Sequence, residues 1–329
     1  MKKIINAVEK VEEQMILGLV KSRPGKLRKL DACNVVVRSP RKEGKVALVS
    51  GGGSGHEPSH GGFVGTGMLD AAVAGAVFTS PAPGPIFEGI KAVATDQGVL
   101  CVVKNYTGDV MNFEMAIEMA RDEDIKADYV LVNDDVAVKD SLYTAGRRGV
   151  AGTILVHKIA GARAEEGASL EEVKAVAEKV IANVRTMGMA IAPCTVPAAG
   201  KPGFTLTDEE MEIGIGIHGE RGTHREKLQQ ADVIARQLLD RILEDIDYEG
   251  SEVVLLVNGM GATPLMELYI VNNFVQDYLK EKGVKVYDTM VGNYMTAIEM
   301  AGFSLTLLKL DDELKRLYEA PADTAALRK

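Results

Sequence analysis

Four side chains in this 329-residue chain stand in surroundings that chemistry needs. His56 lies in Ser50-Gly51-Gly52-Gly53-Ser54-Gly55-His56-Glu57-Pro58-Ser59-His60-Gly61-Gly62, where six of thirteen residues are glycine. Such a run loses much chain entropy on folding, but it admits φ > 0 and lets a ligand approach the backbone closely. Lys104 and Asp109 bracket Lys104-Asn105-Tyr106-Thr107-Gly108-Asp109. An ammonium there binds a hydroxyl or an anion, and a carboxylate at the same sheet edge as His56 is a candidate base. His218 is the sixth residue of Ile213-Gly214-Ile215-Gly216-Ile217-His218-Gly219. Read as a strand, alternate residues share a face. His218 then lines one side with Gly214 and Gly216, leaving space for a small molecule.

Each of these has a plainer reading. His218 also fits a polar sheet face whose glycines admit a helix. A loop histidine or loop aspartate is commonly solvated, and His60, His157 and His224 read as structural. The glycine run is not a Walker A loop, because no Gly-x-x-x-x-Gly-Lys-Ser/Thr occurs anywhere in the chain. Nor is it a dinucleotide fingerprint, since His56 occupies the third glycine position. Pro58 is placed to open a helix whose first N–H groups face an anion. No Cys/His cluster supports zinc and no Ser–His–Asp order stands out, so no metal site is expected.

The elements that must hold these groups follow from the apolar pattern. Val46–Val49 is β-branched without alternation, which predicts a buried parallel strand feeding a loop from Ser50. Loops at the carboxyl ends of strands are where open α/β sheets bind ligands. Further strands are expected at 98–103, 129–132, 153–157, 189–192, 211–218, 253–257, 285–291 and 304–309. Helices are expected near 4–20, 86–96, 113–123, 169–186, 228–246 and 264–282. This alternation predicts an α/β fold of two α/β domains with mainly parallel or mixed sheets. The domains are expected at 1–185, carrying the glycine loop, Lys104 and Asp109, and at 186–329, carrying His218. Residues 321–329 read as a loose or docking tail.

Composition narrows the class. Apolar residues make up 46% and charged residues 26%, a soluble globular profile. A net charge of −9 argues against nucleic acid or an anionic membrane as partner. Aromatics are 5% and tryptophan is absent, which weakens a base-stacking role. Three cysteines without ligand spacing suggest a reducing cytoplasm, with Cys101 packed in the core. No signal peptide or membrane-length apolar run is seen.

The ordered motifs resemble dihydroxyacetone kinases, specifically their substrate-binding K subunit or domain. They are Ser50–Pro58, Lys104–Asp109, Asp134-Asp135-Val136-Ala137-Val138, Gly146-Arg147-Arg148-Gly149, Cys194–Pro202, Gly216-Ile217-His218-Gly219-Glu220 and Asn258–Tyr269. The resemblance implies that His218 holds dihydroxyacetone covalently as a hemiaminal, with His56 and Asp109 as base and partner. It implies substrate contacts from Gly53 and Lys104, with Ser54 and Gly55 in the same loop. A neutral imidazole adds to a ketone but not to an alcohol, so a short ketose is selected over glycerol. Attack needs an unprotonated His218, so uptake should fall at low pH. The resemblance further implies a cytoplasmic homodimer and a first domain like the mannose-type phosphotransferase IIA fold. No cofactor is expected in this chain; ADP or ATP with magnesium is expected on a separate L subunit, recharged by an M subunit of the phosphotransferase system. Three alternatives stay open: a ketose-sensing co-activator, a kinase subunit for another ketose such as erythrulose, and a direct nucleotide-binding protein.

Overall fold

The computed structural model describes residues 2–139 and 144–329. In its first sheet the strands in chain order are β1 (Leu27–Lys29), β2 (Val35–Arg38), β3 (Ala47–Ser54), β4 (Ala71–Val77), β5 (Val99–Lys104) and β6 (Ala127–Val132). Their spatial order is β1-β2-β4-β3-β5-β6. The four strands β4, β3, β5 and β6 run parallel, and β1 and β2 form an antiparallel edge. Both faces of this sheet are covered, which explains its nearly continuous apolar runs. Val49, Val73, Cys101 and Val103 face α2 (Pro83–Val93) and α3 (Thr107–Asp122). Leu48, Ala72, Leu100 and Val102 face α4 (Thr153–Glu165) and α5 (Leu170–Asn183).

The second sheet contains β7 (Val184–Ala192), β8 (Glu210–Ile213), β9 (His224–Lys227), β10 (Glu252–Gly259), β11 (Lys285–Gly292) and β12 (Ala301–Leu310), ordered β11-β10-β12-β7-β8-β9. Among the described residues only β10 and β11 of these strands pair in parallel, so this sheet is mixed. One face packs on α6 (Ala231–Asp245) and α7 (Leu265–Glu281) through Val253, Leu255, Leu305 and Leu307. Val254, Leu256 and Leu308 on the other face join the core around α4 and α5. The middle helices are thus shared by both sheets. The chain ends with α8 (Asp312–Glu319) and a tail docked on the first sheet's loops, where Ala326 N–H donates to the Gly62 carbonyl.

Several expectations need correction. Thr153–His157 is not a strand but the opening of α4. That helix is buried on every side, so it lacks the polar stripe by which an amphipathic helix announces itself. The run expected as a strand to His218 stops at Ile213; Gly214 turns the chain at φ +75°, and His218 lies in a loop. Pro58 opens no α-helix: a turn is followed by a 3₁₀ turn at Gly61–Phe63. The glycine run is not a loop from Ser50, because β3 continues through Gly51, Gly52 and Gly53. A Cβ on Gly51 would sit 2.5 Å from the Val73 carbonyl oxygen, so only glycine pairs there. Asp109 lies in the first turn of α3 rather than in a loop.

Candidate functional site

The pairing of β3 with β4 shifts register after Gly53 and runs out at Ser54, opposite Val77, where the chain leaves toward the second sheet. Gly55 then packs where a Cβ would stand 2.9 Å from the Phe78 ring and 3.0 Å from Ile298. Phe78 and Ile298 themselves hold positive φ, at 58° and 56°. Such backbone is costly for non-glycine residues and clusters at functional sites. Phe78 stacks on the His56 ring with centroids 5.2 Å apart. The segment is stitched across the two sheets: Ile298 N–H donates to Gly55 O at 2.7 Å, and Ser59 Oγ donates to Tyr294 O at 2.8 Å.

This stitching brings His56 against His218. Their Nε2 atoms are 3.1 Å apart, and the rings cross at 73°. His56 Nδ1 is 2.8 Å from the Thr296 carbonyl oxygen, so it carries a proton and donates. His218 Nδ1 is 2.9 Å from Glu220 Oε1, again a donor facing an acceptor. With both outer nitrogens donating, the Nε2–Nε2 contact closes as a hydrogen bond only when the pair holds one added proton. Burial, then the neighbouring His218 and Lys104, holds the His56 imidazole well below the ordinary value. Burial pushes the Glu220 carboxyl up, but His218 and Arg148 outweigh it and keep the group at about 2. The carboxylate therefore stays negative beside the His218 ring.

The loop bearing His218 is anchored by a buried arginine. Arg148 Nε donates to Asp135 Oδ2 at 2.7 Å, and its Nη2 donates to Gly214 O at 2.7 Å. Asp134 meanwhile accepts from the backbone N–H groups of Val150 and Gly152 at the start of α4. The Asp-Asp and Arg-Arg motifs thus tie the first sheet to the His218 loop.

The pair opens on a cavity of about 500 Å³ whose wall includes Gly53, Phe78, Tyr106, Asp109, His218 and Glu220. Asp109 Oδ1 accepts from Ser80 Oγ, and Oδ2 stands 3.7 Å from Lys104 Nζ. Lys104 lies beneath this wall, fully buried, and also donates to Gly51 O at 3.1 Å. Burial lowers its pKa while Asp109 opposes the shift. Gly53, Asp109 and His218 therefore meet at the cavity, and His56 touches it through His218. Ser54 Oγ is turned to Gly75 O and Gly55 to the domain junction, so both shape the loop. Sequence reasoning missed Glu220 and Thr296. The carboxylate two residues after His218 was a usable signal; the carbonyl of a residue 240 positions from His56 left none.

Residues 17–326 match the family model described as the Dak1 domain. The chain belongs to the Dak1 domain family. The Dak1 chain is 58% identical over 328 residues to the dihydroxyacetone-binding subunit of PTS-dependent dihydroxyacetone kinase 1 from Listeria innocua, covering 99% of this chain and 100% of the relative. It is also similar to the solved dihydroxyacetone kinase of C. freundii in complex with AMP-PNP and Mg2+, with TM-score 0.93 and 32% identity. That match covers 99% of this chain and 61% of the other. A third similarity is to a solved dihydroxyacetone kinase operon co-activator, with TM-score 0.91 and 38% identity over 95% of this chain and 97% of the other. No helix among the described residues is long and apolar enough to cross a membrane.

Proposed function

We propose that this Dak1 chain is the ketose-binding subunit of a phosphotransferase-system-dependent dihydroxyacetone kinase. It holds dihydroxyacetone on His218 and presents a hydroxyl for phosphorylation. The supporting observation is His218 itself, poised at a cavity wall with its Nε2 against His56 and its Nδ1 on Glu220.

In this reading the added proton between the rings moves onto His56 Nε2 only as the ketone enters, a transient state that burial disfavours and that leaves His218 Nε2 bare for attack. The His218 Nε2 lone pair forms a bond to the carbonyl carbon, and the carbonyl oxygen takes the proton from His56 Nε2. His218 becomes an N-alkyl imidazolium, neutralised by Glu220, and His56 returns to the neutral state. The charge of the site is unchanged. His56 Nε2 and the Asp109 carboxylate are then both free to accept the proton of a terminal hydroxyl as its oxygen attacks phosphorus. Lys104 holds the Asp109 charge from below. Gly53 contributes backbone at the wall, and a Cβ has no room there, since it would lie 2.5 Å from Thr79 N. The remaining work of phosphoryl transfer is positioning and charge neutralisation. A separate L subunit supplies the nucleotide with magnesium, recharged through an M subunit, and the chain works as a cytoplasmic homodimer.

The likeness to the co-activator favours a second reading, a ketose sensor that needs only the covalent histidine. Intact mass after incubation with dihydroxyacetone and with glycerol tests capture: a ketose adduct and no glycerol adduct are expected. Addition of L and M subunits with phosphoenolpyruvate and the phosphotransferase phosphocarriers should then yield dihydroxyacetone phosphate. An adduct without product selects the sensor, and no adduct sinks both. Erythrulose in the same assay decides between ketoses.

A further inference from the structure

Two buried histidines have no part in that chemistry, and they stand in line behind Lys104. His60 Nε2 is 2.9 Å from Lys104 Nζ, and His60 Nδ1 is 3.0 Å from His157 Nε2. The two rings meet edge to face with centroids 5.3 Å apart. Lys104, His60 and His157 come from β5, the segment after β3, and α4, and all three are buried.

Counting donors fixes the direction of this line. An ammonium has three N–H groups and no acceptor. On Lys104 these are directed to Gly51 O, His60 Nε2 and, at 3.7 Å, Asp109 Oδ2. His60 must therefore present a bare Nε2, which leaves its proton on Nδ1, and that proton is donated to a bare Nε2 of His157. The remaining proton of His157, on Nδ1, is sealed from solvent and has no acceptor among the described residues. A proton wire needs an exit, and this line ends inside α4. Transport is thereby excluded and positioning remains. Burial and the Lys104 charge lower both imidazoles, consistent with a neutral pair.

We propose that His60, itself oriented by His157, is a positioning residue that takes one arm of the Lys104 ammonium and so keeps that charge beneath Asp109. The inference rests on the kinase reading in which Asp109 handles the hydroxyl proton. Without His60 a buried N–H of Lys104 loses its acceptor, a costly state that favours a displaced or neutral lysine.

The test uses the chain with its L and M subunits. His60→Leu should lower kcat roughly 10- to 100-fold, the scale set by misplaced catalytic groups. The ketose KM and the adduct mass should stay near wild type. His60→Gln, whose amide oxygen can accept from Lys104 Nζ, should recover most of the rate. Lys104→Met should match His60→Leu, and the double variant should be no slower than either. A His60→Leu rate within about twofold of wild type, or a His60→Gln as slow as the leucine variant, overturns the proposal. A second measurement needs no ketose: tautomer-resolved 15N NMR of the chain alone should show His60 neutral with its proton on Nδ1 near neutral pH. A proton on Nε2, or an imidazolium, overturns the proposal independently. Failure of wild type to form adduct or product instead sinks the kinase reading.

Discussion

In the His56–His218 pair the facing nitrogens are 3.1 Å apart and the rings cross at 73°; in His60–His157 the values are 3.0 Å and 67°. The two arrangements separate at their ends. Thr296 O and the Glu220 carboxylate close the first, so acceptors flank it on both sides and it has room for an added proton. A lysine ammonium caps the second, so it begins with a donor and stays neutral. The first bridges two sheets and reaches the cavity, whereas the second is sealed in the shared core. In the proposed mechanism the same ring geometry serves proton exchange in one place and orientation in the other. What differs is the charge and the hydrogen-bonding sense of the groups at each end.

Substitutions can break or sharpen this contrast. The largest effect is expected from His218→Ala, which should abolish the adduct; a ketose adduct of unchanged mass would end the covalent assignment. Asp109→Asn and His56→Asn should keep the adduct at equilibrium, His56→Asn reaching it more slowly, while turnover falls roughly 10²- to 10⁴-fold, the range for a lost general base. Near-normal steady-state rates in both would remove them from the chemistry. Glu220→Gln takes the anion from the far end of the first pair and should slow adduct formation roughly tenfold or more, as loss of a proton-handling partner does. Gly216→Ala should act in the same direction, because its Cβ would run into Glu220 Oε2. Stopped quench with mass detection reads both, and wild-type rates would mean that Glu220 is ornamental to His218.

The smallest effect belongs to the second pair and appears in stability. His157 is neutral in the fold, lowered to about 3 by burial and then by Lys104. An unfolded imidazole titrates at its ordinary value, so below that value the unfolded chain binds one proton more than the native chain. Stability contributed by neutral His157 is present above the unfolded value and is lost as pH falls, by about 1.4 kcal/mol per pH unit. His157→Gln should remove one proton's worth of this slope in urea melts between pH 6 and 4. An unaltered slope would show that His157 takes up no proton on unfolding.

Much of the site was legible because its residues sit in short local patterns. The glycine run, Lys104 to Asp109, and Gly-Ile-His-Gly-Glu each advertise themselves within a few positions. The α/β alternation was legible for a similar reason, since β5, β6, β10, α6 and α7 carry clean apolar signals. Periodicity failed where burial was complete, as in α4, whose apolar residues point every way. It failed again at Ile213–His218: the isoleucines are all buried, yet Gly214 bends the chain and alternation loses its meaning. The short edge strands β1 and β2 were below the length at which a pattern can be read. His60 and His157 were set aside as structural because 97 residues separate them and nothing local marks their contact.

The bonds between Gly55, Glu57 and Ser59 on one side and Tyr294, Thr296 and Ile298 on the other rivet the two halves of the chain together around His56. A jaw that swings open would have to tear out the backbone that holds His56. Guest molecules must therefore enter and leave through a fixed porch, and whatever brings the phosphoryl group has to lean in over that rim while the floor stays still.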